Sequence, residues 1–367
     1  MFKKSLAAVA VLGAFAASSF AADVTFYGKV DAGLKYMNTE TTGFDNKTVT
    51  SDDFTLDSGV GQASRFGIKA TEDLGNGYKV SFKLENGFKD DTGAFNDSSR
   101  LFDREASLTV TSDWGSLIAG RIGSFSVAAS QTDVIFARGD ALDGGHFGNG
   151  LVALGRIDNT LAYQSPKIAG FQATGIYSFK MDGVKGEGDE GHSSADRYAA
   201  FGVTYDIGAL QTAIGYEQVL RNDKAATIND AKLIHFGGNY DFDLFKLYVM
   251  GQYFEGMDKA ISSDDVVTAA MNKDGIDGYG LHLGAQFDAL AGHFDTAFYY
   301  VDATANGEKD RDGEYFGITG RYIYDLSKRT NIRVAAQYSQ TTWDKIADTA
   351  DFEKDTYGAY VALTHNF

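Results

Sequence analysis

YGAYVALTHNF, residues Tyr357 to Phe367, sets Tyr357, Ala359, Val361, Leu363, His365 and Phe367 on one face and Gly358, Tyr360, Ala362, Thr364 and Asn366 on the other. Successive side chains of an extended chain point to opposite faces, so this alternation reads as a β-strand. A mostly apolar strand closing a soluble chain leaves an unpaired edge that other chains can join. A closed barrel in lipid removes the edge by pairing its last strand with its first, which satisfies every backbone polar group inside the wall.

The other end of the chain agrees. Lys3 and Lys4 precede an apolar run from Leu6 to Phe20, and small residues follow at Ala21 and Ala22. This is the layout of a secretory signal peptide over residues 1–21, with the barrel in 22–367. The run is too short for a membrane anchor, and no other segment offers the roughly 18 uninterrupted apolar residues of a spanning helix. Mean hydropathy is −0.22. A membrane location therefore requires strands. The 43 Gly, 20 Tyr and 27 Phe suit turns and aromatic girdles, and the single Pro spares the strand ladders. With no Cys, disulfides and thiolate chemistry are excluded. Without Lys3 and Lys4, 31 cations face 50 acids, a net charge of −19 that argues against a nucleic-acid partner and fits a solvated acidic surface.

Sixteen alternating stretches run from Val24 to Phe367, each about ten residues, the length that crosses a bilayer when tilted. In the first, Val24, Phe26, Gly28, Val30, Ala32, Leu34 and Tyr36 oppose Tyr27, Lys29, Asp31 and Lys35. The connections take turns between two kinds. Short ones lie near 73–77, 112–115, 165–170, 206–209, 241–244, 288–292 and 325–329; long polar ones lie near 38–63, 90–100, 124–155, 181–196, 221–231, 256–276, 302–312 and 342–354. Tight turns on one side and long loops on the other are the asymmetry of an outer-membrane barrel, and an even strand count leaves both termini on the periplasmic side. A barrel of about 16 strands is wide enough for an aqueous channel. The expected fold is all-β, a 16-stranded antiparallel transmembrane barrel.

Several segments resemble the general porins of Gram-negative outer membranes, most of all the neisserial and β-proteobacterial branch. They are Phe26-Tyr27-Gly28-Lys29, SRFGIKATEDLGNG (Ser64–Gly77), LFDREASLTV (Leu101–Val110), WGSLIAGR (Trp114–Arg121), RIDNTLAYQSPKIAGF (Arg156–Phe171) and the strand ending in Phe367. The resemblance implies a general-diffusion channel for small hydrophilic solutes and ions. It also implies a homotrimer in the outer membrane, in contact with its lipids and lipopolysaccharide. The third long loop, Ser124 to Gly155, would fold inward and narrow the channel. Lys29, Arg65, Arg104 and Arg156 would form a basic wall facing Asp133, Asp140 and Asp143 on that loop, with Arg138 adding a positive charge. The ending, with Leu363, His365 and Phe367, would be what the barrel-assembly machinery reads.

Parity tests these positions independently. Lys29, Arg65 and Arg156 oppose apolar neighbours and point to the lumen, whereas Arg104 shares the parity of Ala106, Leu108 and Val110 and needs a strand end or a bulge to turn inward. Arg121 falls outward with Leu117 and Ala119, where burial against a neighbouring subunit would resolve it. Gly144-Gly145-His146-Phe147-Gly148 stands where enteric porins carry Pro-Glu-Phe-Gly-Gly, so the loop tip takes its own path.

Other motifs carry less. His146, His192, His235, His282, His293 and His365 lack the spacing of a metal or catalytic set, and Asp302 to Glu314 has Thr304 and Gly313 where a calcium loop needs ligands. No nucleophile elbow, phosphate loop or dinucleotide fingerprint is present; Gly59-Val60-Gly61 reads as turn or strand surface. No metal, cofactor or catalytic residue is expected. The alternatives are a channel preferring a metabolite anion or a sugar, a barrel enzyme, and a plugged adhesin.

Overall fold

The computed structural model describes residues 24–128, 130–142, 151–222, 229–260, 274–307, 311–344 and 350–367. The expected signal peptide lies outside them. Their strands are β1 (Thr25–Thr42), β2 (Thr48–Ser58), β3 (Arg65–Gly75), β4 (Tyr78–Gly87), β5 (Glu105–Ser112), β6 (Gly115–Gly123), β7 (Arg156–Gln164), β8 (Phe171–Ser178) and β9 (Arg197–Ile207). They continue with β10 (Leu210–Leu220), β11 (Ala231–Asp241), β12 (Lys246–Met257), β13 (Gly275–Ala289), β14 (Gly292–Asn306), β15 (Arg311–Ser327), β16 (Thr330–Trp343) and β17 (Phe352–Asn366). Each pairs antiparallel with its neighbours, and β17 pairs with β1 from Asn366↔Lys29 to Glu353↔Thr42. β2 lies against the upper part of β1 and β3 against its lower part, so the two segments are one wall strand. The result is a closed 16-stranded barrel.

Alternation sorts the two faces as the sequence demanded. On β17, Tyr357, Val361 and Leu363 are exposed on the outside, while Tyr360, Ala362 and Thr364 are buried. The seam closes on the chain end: Phe367 N donates to Gly28 O at 3.0 Å and Gly28 N to Phe367 O at 3.1 Å. A Cβ at Gly28 would come 2.3 Å from the Phe367 ring, so only glycine leaves that ring room beside β1. The short turns fall where expected, and Asn76 and Gly77 both take the positive φ, 54° and 81°, that a tight hairpin requires.

Two features depart from the sequence reading. Loops expected at Asn38–Ala63, Asp302–Asp312 and Thr342–Lys354 are shortened because their flanking strands climb further, β1 to Thr42, β14 to Asn306 and β16 to Trp343. Polar cross-strand bonds hold these extensions: Tyr36 and Asn38 donate to Asp52 at 2.8 and 2.6 Å, Thr304 to Asp312 at 2.8 Å, and Gln340 to Glu353 at 2.8 Å. Above the apolar band hydrophobic alternation fades while the ladder continues, so pattern alone ends the strand too early. The second feature is Gly59 to Ser64, six residues opposite only Val30 and Asp31. The excess turns off the wall, and Val60 packs on Ala335, Tyr360 and Ala362.

Candidate functional site

The lumen is lined by residues of inward parity, and its charges gather in one arc. Lys29 lies directly opposite Arg65 across β1 and β3. Arg104 precedes β5 and so escapes its alternation; its backbone N–H donates to Glu85 O at 3.2 Å and its Nε to Glu85 Oε1 at 2.7 Å. The charges acting on Arg156 are those of Arg104, Glu85, Arg65 and Asp103. The four expected cations are thus neighbours. With them stand groups the sequence reading left out: Glu85 and Glu105, 4% and 2% exposed, face each other across β4 and β5. Like charges in direct register repel. Lys83 Nζ, 2.8 Å from Glu105 and 3.8 Å from Glu85, offsets this together with Arg104, and Tyr27 donates to Glu85 at 2.9 Å. Glu85 and Glu105 have the lumen parity of Lys83, so the signal was present in the alternation.

The described parts of the segment after β6, 124–128, 130–142 and 151–155, make their contacts on the inner face of β9 to β15. At its neck, Glu217 accepts from Tyr198 Oη at 2.5 Å, Phe125 N at 3.1 Å and the His235 ring at 2.8 Å. Gln252 then brackets Val152, accepting from its N–H at 2.6 Å and donating to its carbonyl at 3.1 Å. Tyr198, Glu217 and His235 are fully buried. Further along comes one helical turn, Phe136–Gly139, whose Phe136 joins Ile135 and Leu142 in the buried apolar cluster.

The loop charges do not face the arc as a row. Arg138 makes a two-pronged pair with Asp206 at 2.9 Å, and its carbonyl accepts from Asn239 at 2.8 Å. Asp140, 3% exposed, accepts from Tyr299 at 2.8 Å, while the next N–H, of Ala141, donates to His282 Nε2 at 3.2 Å. Both charges are turned into the wall the loop rests on, because a buried charge needs a counter-ion or a donor; Asp206 is the counter-ion of Arg138 and Tyr299 the donor to Asp140. Asp133 stays half-buried and accepts from Ala137 N at 3.2 Å. Asp143 lies outside the described residues. Among the described residues no three His, Cys, Asp or Glu side chains converge as a metal set.

A closed 16-stranded barrel with charged groups on its inner face is a water-filled passage, and known proteins agree. The Gram-negative porin family model matches residues 7–344. The chain belongs to the Gram-negative porin family. An outer membrane porin protein of Bordetella pertussis is 31% identical, over 92% of this chain and 94% of that protein. Among solved structures, the anion-selective porin from Comamonas acidovorans superposes with a TM-score of 0.67 at 23% identity, covering 95% of this chain and 100% of that one. OmpT of Vibrio cholerae in its trimer form gives 0.59 at 18% identity, covering 95% and 100%. This porin is accordingly a diffusion channel of the outer membrane and not an enzyme.

Two further parts of the porin bear on its site. Arg121 has outward parity, but it already has partners within the chain: its Nε donates to Asp103 O at 2.7 Å and its Nη1 pairs with Asp158 at 2.5 Å. A β-bulge at Gly120/Ile122 brings Asp158 into reach, which parity could not foresee. Asp158 also pairs with Arg100 of the loop before β5 at 2.8 Å, and Arg100 reaches Asp182 at 2.6 Å. In the same loop, hydrogen bonds from Ser99 hold the Asp97 carboxyl down at about 2.

The other part is a second charged group inside the lumen. Arg321 clasps Asp295 at 2.9 and 2.7 Å and donates to Leu142 O at 3.0 Å. Arg333, on the next strand, is 7% exposed. Both lie on the polar face of alternating stretches, but sequence reading gives no reason to single them out.

Proposed function

We propose that passage through this porin is set at a constriction between the segment 124–155 and the arc of Lys29, Arg65, Arg104 and Arg156, and that it favours small anions. One observation carries this reading: Arg138 and Asp140 are bound to the wall behind the loop, while in the arc Lys29, Arg65, Lys83, Arg104 and Arg156 stand against Glu85, Glu105 and Asp103. A net positive field in a narrow aqueous gap enriches anions and weights their passage. The anion selectivity named for the Comamonas channel supports the sign. The test is the reversal potential in a potassium chloride gradient. The wild type should read as anion-preferring, and Arg65→Gln with Arg156→Gln should move it toward cations; an unmoved potential would mean that the arc does not line the passage.

The working unit we propose is a homotrimer in contact with outer-membrane lipids and lipopolysaccharide, exported by residues 1–21. The terminal strand, with Leu363, His365 and Phe367, is proposed to be read by the barrel-assembly machinery. Deleting Phe367 should then lower the yield of folded channels more than the current through each one. The reverse result would leave Phe367 as one lipid-facing aromatic among many.

A further inference from the structure

Arg333 is a buried guanidinium without a salt bridge among the described residues. Its Nε donates to a neutral acceptor, Asn331 Oδ1, at 3.1 Å, and its Nη1 is buried without a hydrogen-bond partner. Two carboxylates lie two strands away on either side, on β14 and β1, and both are engaged elsewhere. Asp295 is clasped by Arg321. Asp31 accepts from Gly61 N at 2.8 Å and from Thr364 Oγ1 at 2.5 Å. Among the described residues no carboxylate stands within ion-pair distance of Arg333; Asp31 and Asp295 act on it only at longer range, and the like charge of Arg321 acts against them.

The inward turn Gly59 to Ser64 fixes this side chain. Asp31 holds the turn at both ends, its carbonyl accepting from Gly59 N at 2.5 Å and its backbone N–H donating to Ser64 Oγ at 2.9 Å. Gly61 then rests on the stem of Arg333, so close that a Cβ there would lie 2.7 Å from Arg333 Cδ and 2.9 Å from Asp31 Oδ2. The glycine pair that reads as mere turn material is what lets the backbone press on the arginine. An orphaned buried N–H calls for a partner the protein chain does not supply. A rigid guanidinium fork fits a planar or tetrahedral oxyanion better than a single water.

We propose that Arg333, steadied by Gly61 and backed by Arg321, is a binding station for small oxyanions, carboxylate or phosphate, inside the lumen and separate from the arc at Lys29, Arg65, Arg104 and Arg156. The station rests on the reading of the lumen as an anion-favouring passage. It gives that passage a saturable step.

Single-channel chloride current through the purified full-length channel, titrated with inorganic phosphate, tests it. Phosphate should lower the wild-type current to a plateau, and Arg333→Gln should raise the half-blocking concentration by about tenfold. Arg65→Gln with Arg156→Gln should shift the reversal potential but leave the half-blocking concentration where it was, so the two readings fail separately. If Arg333→Gln does not assemble, Arg333→Lys keeps the charge without the fork and should raise the half-blocking concentration about threefold. No saturable block in the wild type overturns the station. So does equal block in the wild type and the Arg333 variant, or a block that follows Arg65 and Arg156 instead.

Discussion

The inner face of β9 to β14 and the inner face that runs from β15 through β1 to β5 belong to one barrel, yet they differ like a protein core and a protein surface. The first presents Tyr198, Ala200, Ala213, Met250, Ala297 and Tyr299, all buried, with Glu217, His235 and Gln252 among them, placed to grip the loop backbone. The second presents Lys29, Arg65, Glu85, Glu105, Arg321 and Arg333. The outward rows are alike, since lipid asks the same of every strand. The wall that the loop covers is written in small and apolar residues with a few exact hydrogen bonders, whereas the other is written in charge that is largely paired within the wall, apart from the apolar patch of Ala335, Tyr360 and Ala362 under Val60.

The comparison breaks most readily at Glu217. Glu217→Ala removes the acceptor shared by Tyr198, Phe125 and His235, and leaving such groups buried and unpaired costs about 3 kcal/mol. Urea unfolding should show that loss, and current recordings should become noisier as the loop neck loosens. Unchanged stability and quiet channels would mean that the covered wall does not hold the loop. On the charged side, Arg65→Gln with Arg156→Gln should change the cation-to-anion permeability ratio by roughly fivefold.

Arg138→Ala sharpens the picture with a smaller effect. It breaks one partly exposed, two-pronged pair with Asp206, worth about 1 kcal/mol, so noise should rise less than in Glu217→Ala. Noise as large as that of the Glu217 variant would move the grip from the neck to the tip. The smallest change concerns the loop before β5, outside both faces. The Asp97 carboxyl is held at about 2, below its ordinary value, so its contribution is present above about pH 4 and is lost only as pH falls through about 2. Limited proteolysis of residues 90–100 should therefore be flat between about pH 8 and pH 5. A rise in cleavage already near pH 6 would assign loop order to another group.

Much of this was legible in the chain. Lys29, Arg65 and Arg156 read as lumen residues from parity alone, because the side-chain period of a strand is two whatever its partners are. Arg104 needed its place before β5, and Arg121 needed the bulge at Gly120/Ile122; each departs from a simple period by one residue of local geometry. Glu85 and Glu105 had the right parity but no reason to be chosen until β4 and β5 were set in register.

The sequence by itself determined the strand count, the alternation of tight turns and longer loops, the split between lipid and lumen faces, and the closing role of the last strand. All of these follow from local periodicity and from the demand that no backbone group in lipid go unpaired. Only the tertiary structure decided which charges meet. Arg138 finds Asp206 and Asp140 finds Tyr299 across 68 and 159 residues, and Gly61 finds Arg333 across a seam that exists only when the barrel closes. Electrostatic pairing depends on distance in space, and no period in a sequence carries that distance.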